Sequence, residues 1–211
     1  MSLFSHFIED LIRNLSGPIG NRCRKFYYKR KVKVFGKGVT IDTGVYLINP
    51  AFISIGDGVW IDKNCVLIAG VPGELADKAK ENTSGYFLGE LVIGSNSHIG
   101  IGTIIQAHGS VKIGKYFTSS ANCRIYSYSN DYRSSTKGTM PIPSEKYKPD
   151  YITQPVIIGD NVWVGLNVSV ISASIDDDVF VMPHSVVYKP LEKNAVASGN
   201  PATVLRKRFD R

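Results

Sequence analysis

Long apolar runs are absent from this chain of 211 residues. None approaches the ~20 residues of a membrane-spanning helix, and the first residues lack the uninterrupted apolar core and cleavage site of a signal peptide. A soluble, cytoplasmic protein with one folded domain is therefore expected. Cysteine is scarce too: Cys23, Cys65 and Cys123 are odd in number and lack metal-ligand spacing, so reduced packing residues are expected in place of a disulfide framework or a zinc site. The net charge of +7 is missing from the middle of the chain. Residues 1–38 carry +7 and residues 203–211 carry +3, which leaves −3 between them. A basic stripe through the centre would have pointed to nucleic acid, and there is none.

What the middle does have is a period of six. The stretch Ile93-Gly94-Ser95-Asn96-Ser97-His98, Ile99-Gly100-Ile101-Gly102-Thr103-Ile104, Ile105-Gln106-Ala107-His108-Gly109 restarts at Ile113-Gly114. This matches neither an amphipathic helix nor an ordinary strand, and a fixed repeat outranks local propensity. Aliphatic openers continue at Ile41, Leu47, Ile55, Ile61 and Leu67, then at Ile125, Ile158, Val164, Val170, Ile175, Val181 and Val187. The fifth positions read Val45, Ala51, Val59, Cys65, Ser97, Thr103, Cys123, Val162, Val168, Val179 and Ser185. Three hexads make one coil of a triangular prism, with openers pointing inward and small residues at the corners. Gly, Asn and Asp between them supply turns, because they tolerate left-handed backbone angles.

With these hexads the chain resembles the hexapeptide-repeat acyltransferases over roughly residues 35–205. The resemblance implies an all-β fold, a left-handed parallel β-helix with an N-terminal α-helix and two extruded loops. The expected division is a helix and basic arm at 1–34, the β-helix at 35–192 with inserts at 70–90 and 130–156, and a tail at 193–211. The Gly199-Asn200-Pro201-Ala202 ending looks like the exit from the prism in the sugar and antibiotic acetyltransferase branch. With the long insert and the basic start, it is similar to capsule and O-antigen acetyltransferases.

The first segment places apolar residues at 3, 4, 7, 8, 11, 12 and 15, one side of an α-helix, before Ser16-Gly17-Pro18 stops it. A basic stretch, Arg22 to Lys31, follows. Two readings stay open: a helix covering the end of the prism, where the last aliphatic rung would otherwise meet water, or an arm on the anionic inner face of a membrane.

The family implies acetyl-CoA as donor, a homotrimer whose cofactor grooves lie between copies, and a sugar or glycan acceptor. Acyl transfer to a hydroxyl needs a base, oxyanion donors and a groove for the pantetheine arm. Histidine is the usual base, because imidazole is neutral near cellular pH yet accepts a proton. The family's histidine position falls here on Asn130 or Asp131, neither of which is a histidine. His6 is expected on a helix surface, His98 near a corner and His184 beside the cofactor groove. His108, one coil below the Asn130 position, is the candidate replacement base. By resemblance, Gly165, Leu166, Ser185, Tyr188, Lys189 and Arg206 border coenzyme A, with cationic groups suited to phosphates.

Two other functions compete with the transferase. A catalytically impaired descendant would still bind coenzyme A or glycan. A metal hydrolase of the γ-carbonic anhydrase kind would need three histidines converging between subunits. A nucleotidyltransferase with a hexapeptide tail is not expected, since residues 1–34 are too few for a nucleotide-binding domain ahead of the repeat.

Overall fold

The computed structural model describes residues 3–72, 88–130 and 151–209. Three parallel sheets form the faces of a prism. The first face stacks Val34–Phe35, Ile53–Ile55, Leu91–Ile93, Val111–Ile113 and Val156–Ile158. The second stacks Thr40–Ile41, Trp60–Ile61, His98–Ile99, Thr118–Ser119, Trp163–Val164, Phe180–Val181 and Ala195–Gly199. The third stacks Tyr46–Ile48, Val66–Ile68, Ile104–Gln106, Arg124–Tyr126, Ser169–Ile171 and Val186–Val187. Register is in phase from coil to coil: Ile93 pairs with Ile55 and Ile113, and Ile105 with Leu67 and Ile125.

Every aliphatic opener named above is buried, and together they form one continuous core. The burial follows from the pleat: inward and outward residues alternate, so a strand of the third face buries its middle residue and a strand of the first face buries the two at its ends. Left-handed backbone at Asn64, Asn96, Asn122, Asn161 and Asn167 (φ 56–60°) makes the turns between faces. Two hexads depart from the expected pattern. Ala51 is exposed in a 3-10 turn, Pro50–Phe52, because the proline breaks the coil there. At Phe117 and Ser119 the sizes are exchanged: the large side chain fills the corner and the small one takes the opener's place, both buried. The serine hydroxyl stays satisfied by accepting from Gly100 N–H (2.9 Å).

The basic arm is itself a helix, so the N-terminal region holds two: α1, Leu3–Asn14, and α2, Gly17–Tyr28. α2 packs on the first coil and puts Tyr28 and Arg24 into the end of the prism. Arg24 is 1% exposed; its Nε donates to Ile41 O (2.8 Å) and a terminal nitrogen donates to Leu15 O (2.6 Å). Burial pulls its pKa down, and the charge of Asp42 opposes that shift. Gly20 permits the tight connection between the helices: a Cβ there would collide with Leu15 O. At the other end, Ala195–Gly199 turns through a cis Asn200–Pro201 bond into the antiparallel strand Ala202–Lys207. Arg208 then ties the tail back by donating to Asn161 O (2.6 Å).

Candidate active site

Both inserts leave the prism from the edge between the third and first faces. The first is rooted at Gly70 and Gly89, joined by Gly70 N–H to Gly89 O (2.8 Å). The second is rooted in a short antiparallel pair, Tyr128–Asn130 with Tyr151–Thr153, and the coil resumes at Val156. The rest of both inserts, including Asp131, lies outside the described residues. On the rung between these two roots, at the same edge, is His108.

The strand Ile104–Gln106 positions this histidine, and the turn after it is clamped from both sides. Below, Gly89 N–H donates to His108 O (3.0 Å). Above, the buried Ser127 hydroxyl accepts from Gly109 N–H (3.0 Å) and donates to Gln106 O (2.9 Å). The imidazole is half-buried, its Nδ1 is 2.7 Å from Gly70 O, and the ring meets Tyr128 edge-on at 5.3 Å. A carbonyl oxygen can only accept, so Nδ1 carries the proton, and in the neutral ring Nε2 holds the free lone pair. That is the tautomer a general base requires.

Register brings His108 beneath Tyr128, so Asn130 lies two residues farther along, in the hairpin that leaves the coil. His108 is thus one coil below the segment that holds Asn130, offset from it by those two residues. His98 is also displaced from its expected corner: it lies in a strand on the second face, its Nε2 2.9 Å from Asp62 Oδ2 and its ring tilted against Trp60. His6 is exposed on α1, and His184 is exposed in a turn at φ 61°. His98 and His108 therefore do not converge, and among the described residues no three His, Cys, Asp or Glu side chains are grouped to hold a metal ion.

The expected cofactor residues divide between two edges. Gly165 and Leu166 are at the edge between the second and third faces, where His184 N–H donates to Leu166 O (2.8 Å). Gly165 cannot carry a side chain, because a Cβ would lie 2.7 Å from Pro183 N. Tyr188 and Lys189 are exposed on the His108 edge, three rungs beyond it, roughly 14 Å at about 4.8 Å per rung. Arg206 is exposed on the last strand of the second face. Ser185 is corrected: its side chain is fully buried and accepts from Gly199 N–H (3.1 Å), so it fastens the C-terminal hairpin and its hydroxyl is closed to a ligand. Sequence reasoning missed Ser127 and Gly70, although both stand one coil from His108 once the repeat is laid out in rungs.

No family model matches the chain. A putative acetyltransferase of Saccharomyces cerevisiae, YJL218W, is 46% identical over 54 residues, 25% of this chain and 28% of that protein. The putative colanic acid biosynthesis acetyltransferase WcaF of Escherichia coli is 24% identical over 190 residues, 90% of this chain and 77% of that protein. Among solved structures, AntD, an N-acyltransferase from Bacillus cereus in complex with dTDP and 3-hydroxybutyryl-CoA, superposes with a TM-score of 0.72 at 23% identity, covering 88% of each chain. The fold is a left-handed parallel β-helix of the hexapeptide-repeat class. The relatives that the chain resembles in sequence are described as acetyltransferases.

Proposed function

We propose that this protein is an acetyl-CoA-dependent O-acetyltransferase acting on a sugar hydroxyl in surface-polysaccharide biosynthesis, with His108 as its base. The observation that carries the proposal is the Nδ1 contact to Gly70 O, which leaves Nε2 as the proton acceptor at the edge where both inserts emerge. The acceptor class follows WcaF, whose name places it in colanic acid biosynthesis.

In the reaction, Nε2 of His108 takes the proton of the sugar hydroxyl as its oxygen attacks the thioester carbonyl. The tetrahedral intermediate collapses with cleavage of the carbon–sulfur bond. The imidazolium returns the proton to the departing thiolate, giving acetylated sugar and free coenzyme A. Nδ1 stays bonded to Gly70 O throughout, which holds the ring in orientation.

The site is completed by neighbouring copies in a homotrimer. One chain carries His108, Tyr188 and Lys189 on one edge and Gly165 and Leu166 on another, so a groove lined by both sets needs two chains. The third face supports this assembly: Ile48, Val66, Ile68, Ile104, Ile171 and Val186 turn outward and are only part-buried in the single chain. Aliphatic side chains in such a row are the composition of an interface core. An acyl-CoA donor supports a cytoplasmic location for the enzyme.

Incubation with acetyl-CoA and a panel of sugars and sugar nucleotides, read by mass spectrometry, tests the reading. An acceptor gaining one acetyl group on a hydroxyl is the expected result. Coenzyme A binding with no acceptor acetylated would favour the catalytically impaired alternative, in which Asn130 and Asp131 mark a lost base.

A further inference from the structure

The two N-terminal helices carry apolar side chains that the prism does not use. Arg24, Tyr28 and Gly20 face inward, so α2 covers the prism end with a buried cation and a tyrosine, while the largest apolar groups point away. Phe7 and Leu11 on α1 and Leu15 just past its end are spaced four residues apart, and Ile19 and Phe26 follow on the outer side of α2. These five are between 39% and 69% exposed. Cations are interleaved with them: Arg22, one turn from Ile19, and Lys29 and Arg30 beyond Phe26 are all exposed, and the Arg30 guanidinium lies 3.5 Å from the centre of the Phe26 ring. The acids of the pair are engaged elsewhere. Glu9 accepts from Tyr27 OH (2.9 Å), and Asp10 is paired with Arg13.

We propose that this outer surface of α1 and α2 docks on an anionic lipid membrane, with Phe7, Leu11, Leu15, Ile19 and Phe26 entering the headgroup–acyl boundary and Arg22, Lys29 and Arg30 meeting lipid phosphates. Apolar side chains beside a cationic fringe are the requirement for interfacial binding, and the +7 of residues 1–38 is the field that attracts the surface. A second copy of this chain is the poorer occupant, because pairing like surfaces would set Arg22, Lys29 and Arg30 against their own counterparts. The inference stands apart from the acyl-transfer reading, since none of these residues borders His108.

Vesicle flotation of the full chain tests it, comparing phosphatidylcholine alone with a mixture of phosphatidylcholine and phosphatidylglycerol. Binding is expected on the anionic vesicles and to weaken with added salt. It should fall by about tenfold or more in the variant combining Phe7→Ser, Ile19→Ser and Phe26→Ser, and again in the variant combining Arg22→Glu, Lys29→Glu and Arg30→Glu. Coenzyme A binding, measured in parallel, should be unchanged in both, which shows that they fold and separates this test from the acyl-transfer reading. No flotation of the native chain with anionic vesicles would overturn the proposal. So would undiminished flotation of the serine variant, or a drop in its oligomer mass, which would assign the surface to a second copy.

Discussion

The Nδ1 of His108 lies 2.7 Å from the carbonyl oxygen of Gly70, the residue at which the first insert leaves the prism. One hydrogen bond thus fixes the tautomer of the proposed base and ties it to the root of a loop. Replacing His108 with Ala should lower kcat by roughly 10²–10⁴-fold, the range of a general base, while the Kd for coenzyme A stays within about twofold. Stopped-flow and equilibrium binding check the two halves separately. A large loss of coenzyme A affinity would make His108 a cofactor contact.

Ser127 positions the turn that carries His108. Ser127→Ala removes the acceptor for Gly109 N–H and leaves a buried donor unpaired, a cost of about 1–3 kcal/mol. Chemical denaturation should register that loss. Turnover should fall with little change in coenzyme A affinity, whereas a purely structural serine would lower stability and leave the kcat of the folded enzyme unchanged.

Much of the fold was legible because the prism permits so few choices. An inward strand position accepts only a side chain that fills one third of the core, so Ile55, Ile93 and Ile113 mark their own rungs. The pattern is hardest to follow where neighbours compensate. Phe117 and Ser119 exchange sizes within one rung, so the volume is right although neither residue fits its slot. His98 occupies an outward position on a strand, where side-chain identity is almost free, and only its Asp62 partner three-dimensionally explains it. The site was less legible because it depends on which inserts share an edge. That follows from coil lengths that include extra corner residues such as Ser110, and no single motif records it.

The two buried cysteines give the fold a pH limit. Burial raises the Cys65 thiol from 9.0 to about 12 and the Cys123 thiol from 9.0 to about 11. A thiol harder to ionise in the folded chain contributes stability that is intact below the unfolded value and is lost as pH rises through 9 toward 11–12. Unfolding free energy should therefore decline above pH 9, and more shallowly in Cys65→Ala/Cys123→Ala relative to its own neutral-pH stability. At pH 8, Cys23, which is only part-buried, should react with a thiol reagent in the native state while the other two do not.

Arg24 holds α2 to the prism and to the end of α1. Arg24→Ala leaves the carbonyls of Ile41 and Leu15 without their donor, at a cost of about 2–4 kcal/mol. Hydrogen exchange should then speed up in α1, α2 and the first coil, with the coils around His108 unaffected. Uniform acceleration along the chain would show that the helices are not a separable cap.

The trimer is testable from the third face. Ile68→Asp or Ile104→Asp puts a charge into the row proposed to meet a neighbouring copy, and light scattering should report monomers where the native chain gives trimers. A native chain that is monomeric would remove the shared cofactor groove.

Steady-state release of coenzyme A thiol, with saturating acetyl-CoA and a sugar acceptor identified by mass spectrometry, tests the account most directly when native enzyme and His108→Ala are run side by side. Thiol release that depends on the acceptor in the native enzyme and disappears in the variant is the predicted result. Equal rates in the two proteins would contradict the assignment of the base and, with it, the reading of the edge between the inserts as the active site.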